Sequence, residues 1–242
     1  SPWQSRYGWI WYNSKEILRD TQEDIDAHVK SFADKGINIL IGFSSTHFRW
    51  NFYRHWDKIT ECIAKIVKAC HKYGIIYVEH HSCHLTFNPL TEEDFVYMDN
   101  ILEKRDSHVS DWPGLKEDSV NDFSVDGKMI SSFRQISGRS GKWGITTYHG
   151  YGMCFNNEDF IAAYLKYLES LYAVGIDGIM TDDVQFFGND NMGWKAFNAC
   201  TCVHCRRKFK EKYGYDLPQP SEWDKFYWDF NNPVFVAWKR FK

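Results

Sequence analysis

One apolar run of the sequence, IDGIMTDD (176–183), ends on two neighbouring carboxylates, Asp182 and Asp183. A carboxyl group can act as acid, base or nucleophile, and cleavage of a glycosidic bond through an oxocarbenium-like transition state needs such groups. Successive strand residues point to opposite faces, so one of the pair is expected to face a cavity while the other pins a loop or caps a helix. Asp183 is the first choice for the catalytic role and Asp182 the second. A second polar group, His80, His81 and His84, closes the run IIYVEHH (75–81) and its continuation. Beside a carboxylate, histidines either hydrogen-bond sugar hydroxyls or hold a catalytic metal with an Asp, and the sequence leaves both uses open. Trp11 and Asn13 end RYGWIWYN (6–13), His47 and Trp50 follow INILIGF (37–43), Gln185 follows the aspartates, and His149 lies in ITTYHGYG. Together with His80 and His81, these are the expected substrate contacts.

Cysteine supplies a separate motif. Cys200, Cys202 and Cys205 crowd into CTCVHC, within an odd total of seven cysteines. That spacing favours metal thiolates over a disulfide framework. Cys154 is the leading fourth ligand for a tetrahedral zinc, a closed and therefore structural site; no cofactor is expected for catalysis. Cys62, Cys70 and Cys83 are expected in or near the core as small apolar residues.

These residues need elements to hold them. The runs 6–13, 37–43, 75–81 and 176–183 have the apolar, β-branched and aromatic character of strands buried in a parallel sheet. Between them lie amphipathic stretches. Ile25, Val29 and Phe32 recur at helical spacing after the capping residues Asp20 to Glu23; Ile59, Ile63, Ile66, Val67 and Cys70 form a stripe within 55–74; and 157–175 is a third such helix, ending like the second on glycine. Strand, helix, glycine and strand in repetition call for right-handed crossovers and an α/β fold, either a (β/α) barrel of the TIM type or a doubly wound sheet. In both, ligands bind beyond the carboxyl ends of the strands, where the residues named above fall. Residues 82–156 interrupt the rhythm and read as a long active-site loop with a hairpin around Asp126-Gly127. A helix over 203–213 and an aromatic tail follow. Four strands do not close an eight-stranded barrel, so 1–242 is expected to be one catalytic barrel domain lacking its C-terminal part, supplying the first four to five βα units.

Bulk composition bounds the partners. The net charge of -3 gives no basic field for nucleic acid. Aromatic residues reach 18% with 11 Trp, and aromatic faces stack on sugar rings as well as filling cores, which raises a carbohydrate ligand. No apolar run is long enough to predict a membrane helix. The opening SPWQSRYGWIWYN lacks the basic start and apolar middle of a signal peptide; periplasmic or extracellular placement is the first expectation and cytoplasmic the alternative. A homo-oligomer is left open.

The combination of KACHKYGI, GIDGIMTDD and CTCVHCRRKFKEKYGYDLP resembles the hypothetical glycosyl hydrolase barrels, relatives of glycoside hydrolase family 42 β-galactosidases, over residues 7 to 218. The resemblance implies a (β/α)8 barrel that hydrolyses glycosidic bonds, with a zinc-binding cysteine cluster after the fourth strand joined by one upstream cysteine, matched by Cys154. Family 42 carries an Asn-Glu pair where this chain has Asp182-Asp183, and the difference resembles instead the barrels, α-fucosidases among them, that place a nucleophilic Asp there. A second carboxylate would then come from a later strand, from Glu79 or from the long loop. The competing expectations are a metal-dependent hydrolase of the deacetylase type using His80, His84 and an Asp, and a non-catalytic carbohydrate-binding barrel.

Overall fold

A computed structural model describes residues 4–86, 112–144, 150–182, 184 and 200–241. Its contacts divide the chain into two compact units, one formed within 1–83, 89–120 and 164–183, the other within 84–88, 121–163 and 184–242. Asp183, His149 and Gln185 lie outside the described residues.

In chain order the elements are β1 (Tyr7–Trp11), α1 (Ser14–Leu18), α2 (Gln22–Ala33), β2 (Ile39–Phe43), a 3-10 segment (Arg49–His55), α3 (Trp56–Lys72), β3 (Ile76–Ser82), α4 (Leu115–Val120), β4 (Ser124–Val125), β5 (Lys128–Met129), α5 (Glu158–Ala173), β6 (Gly178–Asp182), α6 (Val203–Tyr213), α7 (Trp223–Phe226) and α8 (Pro233–Phe241). No helix among the described residues is long and apolar enough to cross a membrane.

The first unit is built on a four-stranded, all-parallel sheet in the order β1-β2-β3-β6. The order never reverses, unlike that of a doubly wound sheet. Among the described residues the strands do not close into a barrel. Side chains alternate strictly between the two faces. Ile10, Tyr12, Leu40, Tyr77, Glu79 and His81 are buried on the face that α3 covers with the stripe Ile59, Cys62, Ile63, Ile66, Val67 and Cys70, and Gly8 packs there against Phe32 of α2. By the same alternation the opposite face carries Tyr7, Trp9, Trp11, Phe43, Ile76, Val78, His80, Met180 and Asp182, and here large apolar groups are open to solvent: Trp9 and Trp11 are each 44% exposed.

Gly42 is required by the covered face. A Cβ at this position would lie 2.0 Å from the Tyr77 hydroxyl oxygen, so the missing side chain is the room in which Tyr77 lies across β2. Tyr77 donates to Glu79 Oε2 at 2.6 Å, and Tyr12 and Arg49 Nη2 donate to Oε1 at 2.5 and 2.7 Å. A carboxylate and a guanidinium, both essentially inaccessible to solvent, are thus tied into the covered face.

The second unit holds the β4–β5 hairpin, in which Asp126 and Gly127 take φ of 51° and 79°, the left-handed pair that a two-residue type I′ turn requires. It also holds a hydrophobic cluster of Phe209, Leu217, Trp223, Phe226, Tyr227, Phe235 and Trp238. α6 stops at Gly214, whose φ of 75° is left-handed. Within 82–156 the described residues are therefore not one loop: they carry α4, this hairpin and several isolated bridges.

Candidate functional site

Strand alternation brings His80 and Asp182 to the same face, because His80 pairs in register with Met180 and Ser82 with Asp182 on the neighbouring strand. His80 Nε2 lies 3.4 Å from Asp182 Oδ2, and His47 Nε2 lies 3.2 Å from Oδ1. The carboxylate side chain is 45% exposed while both imidazoles are nearly buried, so Asp182 presents one side to solvent and the other to two rings. One imidazole Nε2 thus stands beside each carboxylate oxygen.

His47 is not on a strand, and its position depends on the backbone around it. Its N–H donates to Ser44 O at 3.0 Å, closing a tight turn after β2, and its carbonyl accepts from Ser82 N at 3.0 Å, which zips the following residues onto the end of β3. Inside that turn Ser44 Oγ and Thr46 Oγ1 are 2.5 Å apart, and Arg49 donates to Thr46 Oγ1. The guanidinium that neutralises Glu79 on the covered face therefore also anchors the loop that presents His47.

Aromatic rings enclose the pair of imidazoles. His47 and His80 are 4.9 Å apart between ring centroids with planes 22° apart, and Phe43 lies 4.9 Å from His47 and 5.1 Å from His80. Trp9 meets His80 edge-on at 5.6 Å, and Trp11 lies 4.4 Å from Phe43. Trp9 and Phe43 were not singled out in the sequence, although the signal was present. Trp9 stands two residues before Trp11 and so shares its face, and Phe43 pairs in register with Trp11.

Three of the expected substrate contacts are placed elsewhere. Trp50 is a core residue, 1% exposed, whose indole donates to Cys83 O at 2.9 Å; an indole N–H with an apolar body suits a buried site with one carbonyl in reach. Asn13 is buried and accepts from Ser45 N at 3.1 Å, so it pins the loop after β2 to the end of β1. His81 lies on the covered face, its Nε2 2.9 Å from the Tyr164 hydroxyl, and burial, with the charges of Arg49, His47 and His80, drives its basicity well below the ordinary imidazole range. Glu79 also faces the helices, so it does not supply a second carboxylate to Asp182. His84 belongs to the second unit, where its Nδ1 lies 3.0 Å from Met153 O. The His–His–Asp group among the described residues is therefore His47, His80 and Asp182, and not one built on His84.

In the second unit Cys154, Cys200, Cys202 and Cys205 bring their sulfurs within 4.8 Å of one another, all four buried and none in a disulfide. The Sγ of Cys154 lies 3.4 Å from that of Cys205 and 3.5 Å from that of Cys202. Local structure explains the convergence. Cys202 caps α6 and Cys205 sits in its first turn; Cys200 is held by a bridge to Ser137 and Thr201 by its N–H to Ile136 O; Cys154 donates its N–H to Phe133 O at 2.7 Å. Hydrogen bonding with Cys200, Cys202 and Cys205, followed by burial, holds the Cys154 thiol far above its ordinary range. Four buried thiols packed this closely cannot ionise together without a cation. Tetrahedral zinc with Zn–S bonds of 2.3 Å sets ligand sulfurs about 3.8 Å apart, and the observed spacing is near that figure.

No family model and no curated protein sequence matches the chain. Among solved structures it is similar to a β-galactosidase from the haloarchaeon Halorubrum lacusprofundi (15% identity, TM-score 0.49, covering 98% of this chain and 32% of that one). It is also similar to a cycloisomaltooligosaccharide glucanotransferase from Paenibacillus (14%, 0.44, 77% and 24%) and to a cyclic α-maltosyl-(1→6)-maltose hydrolase from Arthrobacter globiformis (12%, 0.42, 75% and 44%). The chain spans less than half the length of each of these structures.

Proposed function

We propose that the chain is part of a (β/α)-barrel glycoside hydrolase of the kind related to the family 42 β-galactosidases, with Asp182 as a catalytic carboxylate. One observation carries the reading. A half-exposed carboxylate at the carboxyl end of the fourth parallel strand shares a sheet face with two imidazoles and with the exposed rings of Trp9 and Trp11. Carboxyl ends of parallel strands are where barrels place their chemistry, and a carboxylate there can act as nucleophile at an anomeric carbon or as base toward water. His47 and His80 would hold its two oxygens in place and, where Asp182 turns toward the sugar, donate to hydroxyls. Trp9 and Trp11 offer apolar faces of the type that pack on sugar C–H faces. The strand order, sequential and unreversed, supports an arc of a barrel. The four cysteines would hold a structural zinc, which fixes local backbone geometry and takes no part in bond cleavage.

The test replaces Asp182 and Asp183 separately by Asn in the full-length protein and measures turnover on a panel of aryl glycosides, with far-UV circular dichroism as the folding control. Asp182→Asn should lose at least about 10²–10⁴-fold. A folded Asp182→Asn variant that turns over within tenfold of the parent rejects the assignment, and loss confined to Asp183→Asn moves the role to its neighbour.

A further inference from the structure

His47, His80 and Asp182 have the composition and spacing of a metal site as well as of a sugar clamp. Ligands bound to one tetrahedral zinc at 2.0–2.1 Å lie about 3.3–3.4 Å from each other. His47 Nε2 lies 3.2 Å from Oδ1 and His80 Nε2 3.4 Å from Oδ2, each near that spacing from a different oxygen, and one ligand atom from each of the three residues lies within 4.8 Å of the others, a set that an ion taking one oxygen would draw together. Three protein ligands leave one position open, and Asp182 has a solvent-facing side through which an ion or a water could enter. The rings are not free to swing away, because Phe43 packs beside both, Trp9 meets His80 edge-on, and the backbone bond from Ser82 to His47 fixes the loop.

We propose that these three side chains form a second metal site, for a divalent cation of the zinc, nickel or copper class, and that the bound cation blocks the sugar reaction by occupying Asp182. Imidazole with carboxylate selects this class over magnesium or calcium, which take oxygen ligands. The blocking clause rests on the glycosidase reading; the binding clause does not. A carboxylate coordinated to a cation has given up the lone pair that a nucleophile or base must offer, so cation and substrate compete.

Zinc stoichiometry and affinity are measured on the full-length protein after mild chelation, by calorimetric titration and by elemental analysis, in the parent, in His80→Asn and in His47→Ala. Cys200→Ser reports the thiolate site independently. The parent should bind one ion more than either histidine variant. The affinity lost at that site should exceed the 10–100-fold typical of losing a residue that only hydrogen-bonds to a ligand, and the ion lost in Cys200→Ser should be a different one. Equal stoichiometry in parent and histidine variants overturns the proposal. With aryl glycosides as substrate, zinc at concentrations that fill this site should raise the apparent KM and leave kcat unchanged; zinc binding with an unaltered KM overturns the blocking clause. A protein that binds the second ion yet hydrolyses no glycoside under any condition refutes the glycosidase reading and leaves the stoichiometry as evidence for the site.

Discussion

Replacing Arg49 by Met should make folding sharply dependent on pH. Arg49 is 1% exposed and Glu79 is not exposed at all. In the parent, Glu79 accepts from Arg49, Tyr12 and Tyr77; in the variant only the two neutral hydroxyls remain. Burial already raises the Glu79 carboxyl above its ordinary 4.5, with Arg49 the chief opposing influence. Without the guanidinium the folded protein has two options, to bury an unpaired charge, at about 3–5 kcal/mol, or to keep the carboxyl protonated. At pH 7 the second costs about 1.36 kcal/mol for each of the 2.5 units above the unfolded value, about 3.4 kcal/mol. That route caps the electrostatic penalty and gives it a slope. Above pH 4.5 the folded variant retains a proton that the unfolded chain has released, so stability falls by about 1.4 kcal/mol per pH unit between 4.5 and 7. The parent slope has the same sign and is shallower, because Arg49 pulls the carboxyl back down. Urea unfolding followed by tryptophan fluorescence measures this directly, the loss at pH 7 corresponding to a midpoint shift of roughly 1–3 M for slopes of 1–3 kcal/mol per M. Replacing both Arg49 and Glu79 by apolar residues should restore most of the stability and flatten the profile, since a buried ion pair is often matched by apolar packing. A loss under about 1 kcal/mol at pH 7, or one independent of pH, refutes the reasoning.

Two further outcomes follow from particular contacts. Gly42→Ala should displace the Tyr77 hydroxyl, which a Cβ would meet at 2.0 Å, and break its bond to Glu79, costing roughly 1–3 kcal/mol in the same unfolding assay; combined with Tyr77→Phe, most of that cost should vanish. Cys154→Ser should abolish the zinc proposed for the thiolate site, by elemental analysis, and lower the thermal midpoint. Chelation should then move the midpoint of the parent and not that of the variant.

The sequence was most legible where local chemistry decides structure. The left-handed turn at Asp126-Gly127 follows from a residue pair that tolerates positive φ, and α3 follows from its apolar stripe, found at Trp56–Lys72 within the expected 55–74. The four strands fall inside or within one residue of the expected runs for the same reason. What period two could not supply was which face each strand turns inward. It fixes that His80 and His81 point apart, but not that His81 takes the helix-covered side; only the register with β2 and β6 decides that. Trp50 misled because an aromatic after a strand end is equally suited to a rim or a core, and the Cys83 carbonyl that satisfies its indole is 33 residues away. His47 reaches Asp182 through a backbone bond to Ser82, a long-range pairing with no local signature. The compact unit around α6 to α8 was illegible as a unit, because its contacts join 121–163 to the C-terminal helices across the fourth strand.

Alternation along β3 also explains why an expensive ion pair lies beneath the proposed chemistry. Slipping β3 by one residue would turn Glu79 toward the solvent face and His80 into the layer packed on α3, exchanging the two sets of side chains completely. Purely apolar residues on both faces would resist such a slip only weakly, and this sheet has apolar groups on both. Glu79 resists it strongly, since two of its donors lie outside β3, Tyr12 just after β1 and Arg49 at the start of the 3-10 segment, and both reach it in one register alone. The same Arg49 anchors Thr46, which lies inside the turn that presents His47. A single buried charge pair thus sets both the register that delivers His80 to Asp182 and the loop that delivers His47, and the stability it costs relative to apolar packing is spent on placing two imidazoles against one carboxylate.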